Sequence, residues 1–389
     1  MTHNCARTPR FRHFYFDQGA RKKFGEEILS RSISTSRPHS GKSYSGGVTY
    51  RQYIEFIEAF VRSRWPQILD EICRRSDAQP GHVSEIDIIA EKSGSDYHPA
   101  SIRVTVDGKT FSFVANVAIT ERGRSRLRQD FDLLDYFHQT GKGTFIPKPF
   151  WISDEAEFRN AEKNDSLVLF VGEWFDNFHE FHLTRLPNEA ELSVVVWDVE
   201  NGLKLLSELD SIEIYRQVAY ILTHYLDLKN FCEIFPWHHA AGDFVVRISP
   251  RIEVRLITIR QYVPRIQSEK DFELDPGEAA LLFFCNLTIR NRVDRLDGVG
   301  AMVWAPKRFL ESTVRGFFDS LRFREQSGNL ESGFTEKLRS ICGKLDLVAW
   351  TQLFEGTVAS FSPSAPDFDI IETNLPEHIF EVYMLFRQP

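Results

Sequence analysis

The sequence predicts an α+β fold in which a small antiparallel β-sheet precedes a mostly helical half. Three β-like segments follow one another at residues 83–90, 101–106 and 110–120, and Asp107-Gly108 between the last two is a hairpin signal. From about residue 189 onward, apolar residues recur mainly with the spacing of amphipathic helices. The order of strands first and helices later is typical of an α+β protein with two cores.

Composition limits the class of protein. The chain has 389 residues, 42% of them apolar and 26% charged, with a net charge of −8, so neither nucleic acid nor an anionic membrane is an expected partner. Its five cysteines are far apart and never form a CxxC pair, which fits a reducing compartment. We find no apolar run long enough for a membrane span and no signal peptide, and we therefore predict a soluble cytoplasmic protein.

Four segments are expected along the chain. Residues 1–47 are rich in Arg, Ser and Gly, and we predict a disordered basic arm. Residues 48–80 form a helical segment, in which Thr49 and Gln52 have the spacing of a capping box and Pro66 interrupts the helix. A β-rich lobe is predicted over 81–185 and a helical lobe over 186–389, in which Asp275 begins a helix.

The β-rich lobe has a particular order of elements. After the three strands, a helix is predicted over 124–138, followed by strands over 145–150 and 166–174 and a connecting hinge over 175–183. The loop between the first two strands, residues 91–100, contains one glycine, so as a phosphate-binding loop its motif is weak. A hairpin loop without a role and a ligand-binding loop both remain open for it.

A helical pattern over 214–226 leads into the loop Phe235-Pro-Trp-His-His-Ala-Ala-Gly-Asp243, which is followed by two short β-like segments. This layout, together with the order of elements from residue 85 to residue 262, resembles the protein-kinase-like superfamily. It is closest to the aminoglycoside-phosphotransferase branch, whose loop reads H-G-D-x-x-x-x-N followed by I-D-W. The resemblance implies a two-lobe kinase-like architecture with a small antiparallel N-lobe and a mostly helical C-lobe.

The residues that the resemblance implies for catalysis differ in this chain. His238 falls on the position of the catalytic Asp, Asp243 on that of the metal-binding Asn, and Thr258 on that of the second metal-binding Asp. Asn116 takes the place of the strand lysine that anchors ATP. Of these substitutes only Asp243 keeps the ability to bind a divalent cation.

If the resemblance holds, the loop over 91–98, the hinge and the loop over 238–243 meet at one cleft that contains five of the twelve histidines. A structural role for each histidine is the competing interpretation. The candidate catalytic residues are His238, His239 and Asp243, with Asp243 also the candidate metal ligand; the candidate ligand-binding residues are Lys92, Gly94, His98, Asn116, Glu173, His182 and Thr258.

Two functions follow from this interpretation. The first is a pseudokinase-type scaffold that lacks the standard kinase residues and binds a small ligand, such as a nucleotide, or a protein partner in the cleft. The second is an enzyme with unconventional group-transfer or metal-assisted chemistry, in which His238 or His239 is the general base and Asp243 holds a metal or orients the imidazole. The cofactor that the resemblance implies is a nucleotide with a divalent cation. We expect no ATP-dependent kinase activity, because the charges that stabilise phosphoryl transfer are missing.

Overall fold

Seven strands in the N-terminal part of the chain form one mixed sheet. The computed structural model describes residues 10–17, 19–34, 45–76, 83–91, 96–153, 167–187, 189, 191–198, 201–265 and 275–387. In chain order the elements of this part are β1 (Arg10–Asp17), β2 (Ala20–Lys23), α1 (Glu26–Leu29), β3 (Ser32–Ser34), β4 (Ser45–Thr49), α2 (Tyr50–Ser63), α3 (Trp65–Ser76), β5 (Val83–Ala90), β6 (His98–Val106), β7 (Lys109–Ala118), α4 (Glu121–Gln139), β8 (Pro149–Ile152) and β9 (Val168–Glu173).

The strand order in this sheet is β2-β1-β5-β6-β7-β9-β8. The predicted hairpin is confirmed: β6 pairs antiparallel with β7, with Val106 opposite Lys109. Asp107 and Gly108 both have positive φ, 47° and 79°, as a two-residue hairpin turn of this hand requires. Along the chain, β5 to β9 and α4 follow the predicted order of three strands, one helix and two strands.

The expectation of a disordered arm over 1–47 is wrong for the residues that the structure describes there. β1 lies parallel to β5, with Arg10 opposite Glu85 and Tyr15 opposite Ala90, and β2 forms the sheet edge. The reason is an ion-pair anchor: Arg12 and Arg21 both bind the carboxylate of Asp87. Residues 1–9 and 35–44 lie outside the described residues.

The predicted N-terminal helical segment is present as two helices. The capping box of Thr49 and Gln52 begins α2, and α3 begins at Trp65, directly before Pro66. One face of α2 is buried in a core shared with the sheet, where Ile57 and Phe60 pack with Phe113. The opposite face of the sheet is covered by α4. The Phe131 ring of this helix contacts the Phe170 ring of β9 at 5.7 Å between centroids.

The C-terminal part of the chain contains both strands and helices. Its elements are β10 (Glu180–Arg185), β11 (Leu192–Asp198), β12 (Gly202–Leu205), α5 (Glu208–Tyr225), β13 (Cys232–Ile234), β14 (Phe244–Arg247), β15 (Glu253–Leu256), β16 (Tyr262–Pro264), α6 (Pro276–Arg290), β17 (Val293–Arg295), β18 (Met302–Trp304), α7 (Lys307–Gln326), α8 (Phe334–Lys344), α9 (Leu347–Ala359) and α10 (Phe368–Leu385). Short 3₁₀ turns lie at His239–Ala241 and Leu296–Gly298.

The segment predicted as a hinge, 175–183, differs from its prediction. Its second half belongs to β10, which pairs with β11 from Glu180 opposite Trp197 to Arg185 opposite Leu192. The alternation of Phe181 and Leu183 with polar residues satisfies the period of a strand, and both apolar side chains are buried. A connecting role is thus confined to the residues before Glu180.

The helices of this part pack around aromatic residues. α5 lies along α7, where the Tyr215 and Phe309 rings stack at 4.1 Å between centroids. Asp275 begins α6 through a capping box with Glu278, as predicted from the sequence. In the part of the chain that the structure describes, none of these helices has the length and apolarity needed to cross a membrane.

By the packing of its backbone the chain divides into two units. The first comprises residues 1–143 and 147–176, and the second comprises residues 144–146 and 177–389. The fold is therefore a mixed α/β arrangement, with the large sheet in the first unit and most of the helices in the second.

Candidate functional site

Two of the predicted ligand-binding residues, Lys92 and Gly94, lie outside the described residues. The third member of that loop, His98, is the first residue of β6 and is buried. Its carbonyl oxygen accepts a hydrogen bond of 3.3 Å from the hydroxyl of Tyr53, and burial lowers the pKa of the ring to about 4. His98 is therefore neutral at physiological pH and packs in the core of the first unit.

Asn116 and Glu173 lie on opposite faces of the sheet. Asn116 is opposite Phe170 on β9, whereas Glu173 is opposite Phe113 on β7. Since directly opposite residues share a face and successive residues alternate, Asn116 lies on the side covered by α4 and Glu173 on the other. Glu173 is bound to the backbone of Lys148 through Oε2 at 3.1 Å. The sheet thus separates Asn116 from His98 and Glu173.

In the second unit, the loop over 235–243 ends at Asp243, directly before β14. The Asp243 side chain is 1% exposed, and its Oδ2 accepts a 2.9 Å hydrogen bond from the backbone N–H of His238. Arg260 donates to the same carboxylate, from Nη2 to Oδ1 at 2.6 Å and from Nε to Oδ2 at 3.2 Å. Both oxygens of the predicted metal ligand therefore have hydrogen-bond donors, and one of the donor groups is a cation.

Thr258 lies close to this pair. The backbone N–H of Ile257 donates to the carbonyl oxygen of Asp243 at 2.8 Å, which brings the residues after β15 against the loop. The segment that carries Thr258 therefore lies beside Asp243, and Arg260 of the same segment binds its carboxylate. Among the residues that the structure describes, no three His, Cys, Asp or Glu side chains come together as a set of metal ligands.

His239 belongs to a directional hydrogen-bond chain. Asn291 Nδ2 donates to the carbonyl oxygen of Tyr215 at 3.1 Å and to Thr313 Oγ1 at 2.7 Å, and Thr313 Oγ1 donates to the carbonyl oxygen of Phe309. This leaves Asn291 Oδ1 as the acceptor toward His239 Nε2, 2.9 Å away. The network therefore assigns the proton of His239 to Nε2, and Nδ1 keeps a lone pair.

The His239 ring is enclosed by other side chains. Burial lowers the pKa of this ring, so it is neutral, and Nδ1 has no hydrogen-bond partner among the described residues. Four aromatic rings lie with centroids within about 6 Å of its own. These rings belong to Phe181, Tyr215, Trp237 and Phe244. A substrate would have to enter this aromatic enclosure to use His239 as a base.

His182 is surrounded by negative charge, in contrast to the aromatic surroundings of His239. Its side chain is 1% exposed and lies between two carboxylates, with Nε2 3.5 Å from Glu180 Oε2 and Nδ1 3.7 Å from Asp294 Oδ1. Burial would lower its pKa, but Asp294 and Glu180 outweigh that effect and raise the pKa to about 9. At 3.7 Å the contact with Asp294 is an ion pair, since a hydrogen bond needs a shorter distance.

Asp294 is itself held in place by the backbone. Its Oδ2 accepts from Leu183 N–H at 3.0 Å and its Oδ1 from Arg295 N–H at 2.7 Å. This ties β17 to β10 around a protonated His182. An imidazole that already holds its proton at neutral pH is a poor general base, so the arrangement stabilises a connection between strands rather than supplying a proton acceptor.

Two glycines allow loops to approach this buried charge. A Cβ added at Gly298 would lie 2.7 Å from His182 Nε2, and one added at Gly242 would lie 2.6 Å from Glu180 Oε1. Both residues also have positive φ, 70° and 67°. The 3₁₀ turns at 239–241 and 296–298 can therefore pack against His182 and Glu180 only with glycine at these positions.

His238 is the one predicted catalytic residue of the loop whose side chain is exposed, whereas His239 and Asp243 are buried. The structure brings His238 and Asp243 together and places the backbone of Ile257, the neighbour of Thr258, against Asp243. His182 and His239 are buried, and Gly242 of the same loop packs against Glu180, the partner of His182. Sequence reasoning missed Arg260, Asn291 and Asp294. Arg260 was detectable as a cation two residues after Thr258, but Asn291 and Asp294 are distant in sequence from the residues that they contact.

Comparison of the chain with models of known protein families and with curated proteins gives no match. The functional argument therefore depends on the geometry of the loop over 235–243 and its partners.

Proposed function

We propose that the chain is a kinase-like scaffold that binds a small ligand, with nucleotides as the first class to test, or a protein partner, and that it does not transfer phosphate. The observation that carries this proposal is the contact of Arg260 with both oxygens of the buried Asp243. In a phosphotransferase that position would face a divalent cation. Here a guanidinium already neutralises the carboxylate.

The charges of the proposed site favour binding over catalysis. Phosphoryl transfer requires metal ions that bridge the phosphates and an acid or base placed near the nucleophile. A cation entering at Asp243 would have to displace Arg260, whose guanidinium makes two hydrogen bonds. Asn116, at the place of the ATP-anchoring lysine, contributes no positive charge.

One observation favours the enzyme alternative. The side chain of His238 is exposed, and its backbone N–H is fixed by Asp243 at 2.9 Å. An exposed imidazole on a fixed loop can exchange protons with a bound substrate. Under this alternative, His238→Ala abolishes turnover of a substrate while leaving the melting temperature unchanged.

The experiment that tests the proposal combines binding with turnover. The full chain is heated with ATP, ADP or GTP, with and without Mg²⁺, and the same mixtures are assayed for transfer or release of the γ-phosphate. We expect that any nucleotide that binds raises the melting temperature to the same extent without Mg²⁺, because the carboxylate that would hold the metal is occupied. Mg²⁺-dependent turnover at roughly 1–100 per second, the ordinary kinase range, would overturn the proposal.

A further inference from the structure

Two arginines in the second unit lie against the same pair of aromatic rings. Arg265 follows β16, and Arg290 is the last residue of α6. The guanidinium carbon of Arg265 is 5.0 Å from the ring centroid of Phe235 and 5.3 Å from that of Phe361. The corresponding distances for Arg290 are 5.7 Å and 4.0 Å. Burial lowers the pKa of Arg290, and the charge of Arg265 lowers it further, so the two cationic groups are close enough to repel each other.

Each guanidinium has one buried nitrogen that finds no acceptor in the described part of the chain. Arg290 pairs through Nη1 with Asp367, but its Nε has no hydrogen-bond partner among the described residues. Arg265 donates from Nη2 to Ser360 Oγ at 2.7 Å, whereas its Nη1 has none within the same part of the chain. Buried donors on a charged group are costly to leave unpaired, and two of them at neighbouring arginines indicate a shared missing acceptor.

The positive charges of Arg265 and Arg290 are also incompletely compensated. Asp367 accompanies Arg290, and among the described residues Glu233 accompanies Arg265, with its Oε1 3.6 Å from Arg265 Nε. Burial raises the pKa of Glu233 to about 7, although Arg265 opposes the rise, so this carboxyl does not carry a full negative charge at neutral pH. Among the described residues, the two guanidinium groups thus have less than two compensating charges.

We propose that Arg265 and Arg290 form a binding site for a phosphate group, whose oxygens accept hydrogen bonds from Arg265 Nη1 and Arg290 Nε. A guanidinium fits phosphate through parallel N–H donors, and a tetrahedral phosphate, with four free oxygens as an ion and three as a monoester, can satisfy two arginines at once. A carboxylate has only two oxygens and a single negative charge, so it compensates two guanidinium groups less completely than phosphate does. The Arg265 side chain is 20% exposed, so the pair lies near the surface of the second unit, although Arg265 Nη1 and Arg290 Nε are themselves buried.

This site does not depend on the proposed function. It uses neither Asp243 nor Arg260, and it requires no nucleotide. Phosphate binding to Arg265 and Arg290 can succeed whether or not the loop over 235–243 binds a ligand, and the two results are measured with different probes.

The test titrates the full chain with inorganic phosphate and, separately, with phenyl phosphate, at constant ionic strength. The two probes distinguish a free phosphate ion from an esterified phosphate group, and saturable binding of either supports the site. Melting temperature and isothermal titration calorimetry are both recorded. We expect a saturable rise in melting temperature with phosphate and none with acetate at the same concentrations.

Arg265→Gln is the main variant, because Arg290→Gln also removes the pair with Asp367 and can fail to fold. We expect Arg265→Gln to weaken phosphate binding by at least about tenfold. Arg322→Gln on α7, which removes the same charge from an exposed side chain, serves as the matched control and should bind phosphate as the wild type does.

Three results would overturn the proposal. The first is no saturable effect of either phosphate probe up to roughly 50 mM, far above the concentration at which a site with a micromolar to millimolar Kd saturates. The second is unchanged binding in a folded Arg265→Gln variant. The third is equal binding of acetate and phosphate, which would show that the two arginines recognise charge alone.

Discussion

Arg260 contacts Asp243 through two hydrogen bonds, from Nη2 to Oδ1 at 2.6 Å and from Nε to Oδ2 at 3.2 Å. The same carboxylate accepts the backbone N–H of His238, and the carbonyl oxygen of Asp243 accepts that of Ile257. One residue therefore joins the beginning of its own loop to the segment after β15. The conformation of the loop that carries the predicted catalytic residues depends on this carboxylate and on the cation beside it.

The first prediction concerns that pair. Arg260→Ala leaves Asp243 as a buried charge without its cation, which typically costs 3–5 kcal/mol of folding free energy. Since Arg260 is 20% exposed and water can replace part of its contact, we expect a loss of about 3 kcal/mol, near the lower limit of that range. Urea denaturation at pH 7 measures this loss.

The control for this prediction is the double variant Asp243→Asn, Arg260→Ala. It removes the buried charge together with its partner, so we expect it to be more stable than Arg260→Ala alone. Mg²⁺ should raise the melting temperature of Arg260→Ala and leave that of the wild type unchanged, because only the variant has a carboxylate open to a cation. Equal losses from the single and double variants would show that an unpaired Asp243 carboxylate is not what destabilises Arg260→Ala.

The second prediction concerns pH and His182. Its pKa in the folded protein, about 9, lies above the value of 6.5 expected for an unfolded chain. Because the folded state holds the proton more tightly, the stabilisation is fully present below pH 6.5 and is lost as the pH rises through 9. At 1.36 kcal/mol per pKa unit, the decline amounts to at most about 3 kcal/mol.

His182→Gln should flatten the stability profile between pH 6.5 and pH 9, as measured by denaturant unfolding at several pH values. His179→Gln is the matched control, since its ring lies three residues away and is 25% exposed, and it should leave the slope unchanged. A wild-type profile that is flat across this interval would show that Asp294 and Glu180 do not hold the proton on His182.

Local signals allowed the sequence to predict several elements. The Asp107-Gly108 hairpin and the capping boxes at Thr49 and Asp275 are all present, because each is decided by contacts within four residues. The strand β1 was missed although it is rich in aromatic residues, which favour strands: Phe11, Phe14, Tyr15 and Phe16. The Arg-, Ser- and Gly-rich composition averaged over 47 residues concealed that short aromatic run.

The site was less predictable than the fold. Proximity of Asp243 to Thr258 follows from a hairpin, so pattern alone could anticipate it. The partners Asn291 and Asp294 reach His239 and His182 across more than 50 and 110 residues, and no local period encodes such contacts. The face of the sheet on which Asn116 or Glu173 lies depends on the register of β7 with β9. The sequence contains no signal for that register.

The third prediction concerns Glu233, a buried acid whose pKa is raised to about 7 from its usual 4.5. The folded state binds this proton more tightly than the unfolded state, so stability falls as the pH rises from 4.5 to 7. Glu233→Gln replaces the carboxyl by a neutral group of similar shape. We expect the variant to match the wild type at pH 4.5 and to exceed it at pH 8 by up to about 3 kcal/mol.

The measurement is denaturant unfolding from pH 4.5 to pH 8 in a buffer without phosphate, because Arg265 is the neighbouring cation. The exposed Glu331→Gln serves as the control and should shift the whole profile by little. A Glu233→Gln variant that is less stable than the wild type at pH 8 would mean that the ion pair with Arg265 outweighs the cost of burying the carboxylate.

The last prediction separates backbone strain from steric contact at Gly298. Gly298 and Gly328 have nearly the same φ, 70° and 72°, but a Cβ at Gly298 would lie 2.7 Å from His182 Nε2, whereas a Cβ at Gly328 would meet nothing within 4 Å. Gly328→Ala should therefore lower the free energy of unfolding by ~1–2 kcal/mol, because alanine is strained in the left-handed conformation. Gly298→Ala should lose that amount of unfolding free energy plus ~1–3 kcal/mol, because the buried His182 ring cannot move aside.

The loss in Gly242→Ala should fall between these two. The atom that its Cβ would strike is the end of the Glu180 side chain, which is 35% exposed and can rotate. Denaturant unfolding of the three variants gives the order directly, and equal losses at Gly298 and Gly328 would show that the turn over 296–298 does not press against His182.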